Sequence, residues 1–455
     1  MTFRRSLIVS TACIATTLSL VACSKSDSAK PAAVALFSGC PVSSETEDYP
    51  NVKNGDPTGS ATPQALFSNS PTRLYAVGSQ KVDGQEIGLV RVSNDGGVSW
   101  STFDKSVGPK GQGAIDNAIV ADPSNANIYI AQTYKNGSLT SPSIHYSNDG
   151  GQTFKDAPFQ LNNQNKENLK SAALTSSGKP YFVGNSVGAN NETTGFIITL
   201  ENDKAVLVRF NPNIAYSQIM NSGPGLLVAG TNKWDGKSLS WHLEGPSGDD
   251  KVLSILADSF PAVLGDQATK NALMRFFGDA RSEIPALAGS ATSLMVAQSG
   301  DIYQGGTVSF ATATDPSNSE VWVIRKSTDG GKTFSVSDTF KDPQFKSSKP
   351  LAMTYFDGHP VAVGASRDEY ASDVDKTTQS HWHWQVRYAP DSNSKWVPLA
   401  RIEMSQDPNE TAQAVGVAGT DTKDGRSLII LGNSHEGSGV HHWRVEKISS
   451  CVRPH

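Results

Sequence analysis

The chain has 455 residues and a formal net charge of −5, with 39 Lys and Arg against 44 Asp and Glu. Binding to a phosphate backbone needs clustered cations, and no block of like charge occurs anywhere, so a nucleic-acid partner is excluded. The four cysteines, Cys13, Cys23, Cys40 and Cys451, lack His-rich surroundings. That argues against a cysteine metal site or a cysteine nucleophile, and no metal or cofactor is expected.

In chain order, Arg4 and Arg5 precede an apolar run from Leu7 to Val21. This is the pattern of a secretory signal over residues 1–22, too short and too rich in Ser and Thr for a good membrane span. The ending Leu20-Val21-Ala22-Cys23 resembles the lipobox of bacterial lipoproteins, which implies that Cys23 is lipidated and becomes the new N-terminus. Residues 23–32 then read as the lipidated cysteine and a flexible tether, and 33–455 as one domain. Losing residues 1–22 removes two positive charges, which takes the net charge from −5 to −7. The place of such a chain is the cell envelope, outside the cytoplasm. The residue after Cys23 is not Asp, which is compatible with the outer membrane of a Gram-negative cell. Cys13 leaves with the signal and Cys23 carries lipid, so Cys40 and Cys451 remain. Outside the cytoplasm a disulfide between them is permitted, and it would bring the two ends of the mature chain together.

A short apolar strand ending in a small residue recurs through the rest of the chain. The copies are "RLYAVGS" 73–79, "NIYIAQT" 127–133, "KPYFVGN" 179–185, "GLLVAGT" 225–231, "DIYQGGT" 301–307, "HPVAVGA" 359–365 and "RSLIILGN" 426–433. Each follows another short apolar strand, such as "AIVA" 118–121 or "LAMT" 351–354, across a turn such as "YFDGHP" 355–360. A third strand follows, often rich in Trp and His, as in "HWHWQVRY" 381–388 and "VHHWRVEK" 440–447. Short strands at even spacing with turn signals between them give a unit of four antiparallel strands. Seven such units predict an all-β, seven-bladed β-propeller rather than two sandwiches. The last unit ends after its third strand, so the apolar segment "AVALFSGC" 33–40 is expected to complete it, with Cys40–Cys451 pinning the closure. Residues 252–290 read as an insertion between the fourth and fifth units, with Leu273, Phe276 and Phe277 on one face of a short helix within 266–280.

Between third and fourth strands one phrase is written three times: "SNDGGVSW" 93–100, "SNDGGQTF" 147–154 and "STDGGKTF" 327–334. Asp95, Asp149 and Asp329 are placed to accept loop N–H groups, and Gly97, Gly151 and Gly331 allow positive φ. Ser93, Ser147 and Ser327 tie the two sides, while Trp100, Phe154 and Phe334 plug the space between sheets. "APDSNSKW" 389–396 keeps Asp391 and Trp396 at the same offsets. The phrase resembles the Asp-box, or bacterial neuraminidase repeat, of the sialidase superfamily. In that family these turns are structural and lie on the face opposite the active site, so the resemblance implies scaffolding.

The resemblance also implies which residues an enzyme of that superfamily would need: three arginines for a carboxylate, an aspartate acid/base and a tyrosine–glutamate pair. The Arg-Ile-Pro phrase expected before the first unit is absent from "NGDPTGSATPQALF", and Arg325 and Arg387 on third strands suit surface salt bridges. No catalytic residue is therefore carried over. The residues entering the innermost strands are Gln64, Asn117, Lys170, Gln218, Ser293, Lys349 and Gln413, all polar. They are the candidates for a ligand-binding mouth on a central channel. Asp116 and Glu167, with Glu410 nearby, are the first candidates for a carboxylate pair if the chain hydrolyses glycosides. Asp368, Asp373 and Asp375 match no defined calcium loop. His381 and His383 alternate with Trp382 and Trp384 and, with His441 and His442, are expected to fill space between units. The composite expectation is a monomeric envelope lipoprotein displaying a binding surface for a glycan or protein partner. The alternatives are a sialidase-like glycoside hydrolase and an assembly factor for a membrane complex.

Overall fold

The structure is a computed structural model that describes residues 44–49, 59–162, 165–223, 225–234, 238–247, 252–256, 286–310, 319–340, 345–371, 378–390, 395–403, 412–436 and 440–449. Cys23, Cys40, Cys451, Glu410, Asp373, Asp375 and the 266–280 helix lie outside the described residues.

The fold is all-β, with antiparallel sheets in which strands succeed one another in fours. Strand β1 (Ser44–Tyr49) stands apart from its sequence neighbours. Then come β2 (Ala61–Ser68), β3 (Leu74–Val82), β4 (Gln85–Ser93) and β5 (Ser101–Ser106), and β6 (Gly113–Ala121), β7 (Ile128–Asn136), β8 (Leu139–Ser147) and β9 (Lys155–Pro158). The next fours are β10 (Lys166–Leu174), β11 (Pro180–Val187), β12 (Thr193–Glu201) and β13 (Lys204–Pro212), and β14 (Ile214–Asn221), β15 (Leu226–Trp234), β16 (Ser238–Ser247) and β17 (Val252–Leu256). They are followed by β18 (Ala286–Val296), β19 (Ile302–Phe310), β20 (Ser319–Ser327) and β21 (Ser335–Phe340), and by β22 (Phe345–Phe356), β23 (His359–Ala371), β24 (Thr378–Tyr388) and β25 (Val397–Glu403). The last strands are β26 (Gln413–Thr422), β27 (Gly425–Glu436) and β28 (Val440–Ser449). The stretch read as an insertion therefore begins and ends in strands. Val252–Leu256 pairs with β16 and Ala286 opens β18, because both segments have hairpin partners in sequence reach.

The last unit borrows its outer strand from the front of the chain: β1 pairs antiparallel with β28. The segment that does so is the polar 44–49, not 33–40 as the apolar pattern suggests. An outer strand faces water on one edge, and Glu45 meets Arg444 at 3.1 Å while Tyr49 tucks under the Arg91 guanidinium and donates to Gln80.

First strands of successive units lie side by side: β2 against β6, β6 against β10, β10 against β14, β14 against β18, β18 against β22, β22 against β26, and β26 against β2. The core is a series of slabs between units. Tyr75, Val77 and Val90 meet Ile119 and Ile130 in one, and Val363 and Val386 meet Leu428 and Ile430 in another. First-to-second-strand turns are tight. Asp357 and Gly358 both have positive φ, which a two-residue hairpin matching the strand twist requires.

One irregularity repeats in every described first strand. A β-bulge inserts one extra residue: Gln64, Asn117, Lys170, Ser217, Thr292, Leu351 and Val415. Opposite it the second strand carries a small residue, because the bulging backbone comes close. A Cβ on Gly364 would lie 2.0 Å from the Lys349 carbonyl oxygen, and one on Gly432 2.4 Å from that of Gln413. The same glycines receive an indole from the preceding unit. Trp241 packs on Gly306, Trp322 on Gly364, Trp384 on Gly432 and Trp443 on Gly78. The Trp241 and Trp384 indole N–H groups donate to the backbone carbonyls of Thr307 and Asn433.

Candidate functional site

The repeated turns assemble from their own polar groups. The Ser93 hydroxyl accepts the Gly97 N–H at 2.8 Å, and Asp95 accepts the Ser99 amide at 2.9 Å and its hydroxyl at 2.5 Å. Ser147–Asp149–Thr153 and Ser327–Asp329–Thr333 repeat the pattern. The threonine hydroxyl and amide hold both aspartates below the ordinary carboxylate range, Asp329 at about 2. Gly97 has a φ of +87°, and its Cα faces Ile429 of the last unit so closely that a Cβ would lie 2.7 Å from Ile429 Cδ1. Phe154 stacks on His145 at 4.6 Å, Trp100 packs on the core by Trp443, and Phe334 packs beside Leu294. The serine and aspartate side chains of these turns are taken up by bonds within the turn itself.

Two residues before each serine stands a cation that the pattern does not advertise. Arg91 donates to the carbonyl of Trp100 and Arg325 to that of Phe334. Arg387 donates to the carbonyl of Trp396 and, through Nε and Nη2, to both oxygens of Asp338 at 2.8 Å. Arg325 and Arg387 are thus buried, not surface ion-pair residues as their third-strand position suggests. In the unit led by β6 a histidine takes the arginine's place. His145 Nδ1 lies 2.6 Å from Asp156 and Nε2 3.2 Å from Asp104, which holds the position on β5 that Asp338 holds on β21.

Burial works against the His145 imidazolium, but hydrogen bonds and charge from Asp104 and Asp156 outweigh it and push the pKa up to about 9. A raised folded-state pKa means that the stabilisation is full below the unfolded value near 6.5 and fades as pH rises through about 9. The shift is equivalent to about 3 kcal/mol. In urea unfolding, the deficit of His145→Gln relative to wild type is therefore expected to be largest at acid to neutral pH and to shrink by pH 9.5. A deficit independent of pH would exclude the charged lock.

The carboxylate candidates are interior groups. Glu167 is buried, with Oε2 accepting the Leu161 amide at 2.9 Å and Oε1 the Asn162 amide at 2.6 Å, so it clamps a loop. Asp116 is 0% exposed and accepts from Gln132 Nε2 at 2.7 Å. Burial pushes its pKa up to about 7 against the opposing pull of Gln132 and His145. A second buried carboxylate, Glu244, receives Tyr216 Oη at 2.9 Å, Asn211 Nδ2 at 2.6 Å and His242 Nε2 at 2.8 Å, with Arg209 3.4 Å away. It is a tyrosine–glutamate pair, yet burial and the adjacent Glu244 charge raise the Tyr216 phenol well above its ordinary pKa, the opposite of what a phenolate nucleophile needs.

The proposed polar mouth also changes. Because of the bulges, the structurally equivalent residues are Gln64, Asn117, Lys170, Ser217, Thr292, Leu351 and Val415, so the ring is not polar throughout. Gln218 and Ser293 fall one residue late, and Lys349 and Gln413 two residues early. Ser293 is buried, Gln218 accepts the Leu294 amide, Asn117 donates to Thr133, and the Lys349 ammonium lies 5.1 Å from the Trp382 ring. Asn433 Oδ1 accepts the Gln413 backbone amide. Only Gln64 and Lys170 of the seven are exposed. His383 is buried near Arg401 while Trp384 faces the next unit. Among the described residues no group of three or more His, Cys, Asp or Glu side chains could hold a metal.

Two cavities among the described residues lie at the other end of the first strands, on the side of the repeated turns. A cavity of about 690 Å³ is walled by the ends of β2, β22 and β26, including Phe67, Gln298, Tyr355, Asp357, Asp421 and Arg426. Arg426 bridges Asp357 and, at 3.2 Å, Asp421, fixing two neighbouring turns at its rim. A second cavity, of about 480 Å³, runs between β2, β6, β10 and β14.

No family model matches the chain, and no curated protein matches it in sequence. Among solved structures it is similar to the polysaccharide lyase Uly1, at 9% identity over 92% of this chain and 95% of that one with a TM-score of 0.48. It is also similar to the α-L-arabinofuranosidase Arb93A of Fusarium graminearum, at 11% over 90% and 98% with a TM-score of 0.45. The Hadza microbial sialidase Hz136 follows at 14% over 72% and 65%, with a TM-score of 0.41. Likeness at this level assigns no activity to the chain.

Proposed function

We propose that this chain is a seven-bladed β-propeller, tethered to the bacterial envelope through Cys23 and closed by β1 and a Cys40–Cys451 disulfide, that binds a glycan on the face of its Asp-box-like turns. Supporting the ring are the fourfold strand grouping, the unbroken succession of first strands and the pairing of β1 with β28. The observation that carries the glycan reading is the 690 Å³ cavity. Its size is that of a small-molecule site, and it combines aromatic surface from Phe67 and Tyr355 with amide and carboxylate groups from Asn69, Gln298, Asp357 and Asp421. Sugars offer apolar C–H faces to rings and hydroxyls to fixed polar groups, which is the chemistry this lining answers.

A glycoside hydrolase is the second reading. Asp116, with its pKa about 7, would suit a general acid at neutral pH, but it has no exposed surface from which to reach a glycosidic oxygen. The test offers the protein a pool of neutral and acidic glycans and compares bound and free fractions by mass spectrometry. Uncut glycan is expected in the bound fraction, with about tenfold weaker binding for Tyr355→Ala and Gln298→Ala. Shortened glycans that vanish with Asp116→Ala would make the chain a hydrolase, and a pool neither bound nor cut would sink the glycan reading. The intact mass of the native protein, with lipid on Cys23 and no free thiol at Cys40 or Cys451, checks the tether and the closure.

A further inference from the structure

We infer that the cavity between β2, β6, β10 and β14 is a binding site for a monocarboxylate with an apolar body, whose carboxylate is held by Lys170. The site shares the Leu66–Asn69 wall with the glycan cavity and takes a different ligand class. Its wall is built from the C-terminal halves of four first strands and is dominated by apolar groups, among them Ala118, Ile119, Ala172, Ile219 and Met220. Alanine and serine recur along this wall, and their short side chains leave about 480 Å³ open.

The bulges determine which residues stand next to the lining along each strand. On all four strands the lining begins at the residue directly after the bulge: Ala65, Ala118, Ser171 and Gln218 follow Gln64, Asn117, Lys170 and Ser217. An inserted residue reverses the alternation of the strand, which turns Lys170 out of the sheet between the core residue Leu169 and the cavity residue Ser171. Lys170 is the one cation of this set. It is exposed, yet it has no hydrogen bond or ion pair among the described residues. Although its side chain reaches solvent, the surrounding strands partly desolvate the ammonium and lower its pKa, and no carboxylate among the described residues offsets the effect.

One uncompensated positive charge above an apolar cavity selects a ligand with one negative charge and an apolar remainder. A phosphate dianion or a metal ion would find too few partners, and a neutral sugar would leave its hydroxyls facing alanine and isoleucine. From Lys170 to Leu174 the strand runs about 13 Å, which suits a medium-length acyl chain.

Decanoate is the probe, titrated into the purified protein by calorimetry with no glycan present. Saturable one-to-one binding is expected, at least tenfold weaker in Lys170→Gln and retained in Lys170→Arg, with no binding of decyltrimethylammonium. Ala172→Leu, which fills the cavity and leaves the charge, is expected to weaken decanoate binding as well. Equal affinity in wild type and Lys170→Gln, equal binding of the cationic amphiphile, unchanged binding in Ala172→Leu, or no binding up to about 1 mM would each overturn the assignment.

Discussion

Arg387→Ala is expected to destabilise the protein by about 3–5 kcal/mol, read as a fall in the urea midpoint without a change in slope. The guanidinium is held by both oxygens of Asp338 at 2.8 Å, by the Trp396 carbonyl at 3.2 Å and by the face of Phe340, 4.3 Å from the ring centre. Both partners are buried, so alanine would leave the Asp338 carboxylate without its counter-charge in a site that already raises its pKa by desolvation. The pair joins the outer strand of one unit to the third strand of the next, so its loss would open a seam rather than a local turn. The double replacement Arg387→Met with Asp338→Leu is expected to recover most of the loss, since two apolar groups remove both charges together. A single-mutant loss below about 1 kcal/mol would place the pair with solvent-screened surface bridges and contradict its burial.

Trp384→Ala should cost a similar amount, about 3–5 kcal/mol, for a different reason. The indole is 0% exposed, lies over Gly432 of the last unit and donates to the Asn433 carbonyl at 3.1 Å. Its removal leaves a void between units and takes one donor from the Asn433 carbonyl. The converse change, Gly432→Ala, puts a Cβ 2.3 Å from Trp384 Cζ2 and 2.4 Å from the Gln413 carbonyl oxygen. It is therefore expected to destabilise in the Trp384→Ala background too, because the backbone clash with the bulge remains. If Gly432→Ala became neutral once Trp384 was removed, the bulge would not be what requires the glycine.

The strand pattern was legible because a hairpin unit writes its alternation, its turn residues and its small-residue stop into local sequence. Ser93, Asp95 and Gly97 could be read as a turn, since all their partners lie within six residues. The cations at Arg91, His145, Arg325 and Arg387 were harder to see as a set. Only their constant offset before the serine position marks them, and the aspartates that His145 and Arg387 meet, Asp104 and Asp338, lie 41 and 49 positions away in the preceding unit. The register of the candidate mouth was hidden for a related reason. A bulge changes register by one residue without changing composition, so taking the residue that enters each apolar segment sets Ser293 and Lys349 beside Gln64, where Thr292 and Leu351 hold the equivalent positions. The borrowed strand was misplaced because apolar character favoured 33–40, whereas an outer strand paired to Arg444 and Trp443 favours Glu45 and Tyr49.

By itself the sequence determined an all-β chain of four-strand units with self-contained turns, because those features depend on neighbours a few residues apart. Tertiary structure alone decided that Asp116, Glu167 and Glu244 are interior, that two cavities lie at the far ends of the first strands, and that Lys170 has no partner among the described residues. Burial and pairing depend on which units face each other across a seam, and a separation of some fifty residues leaves no local trace of that.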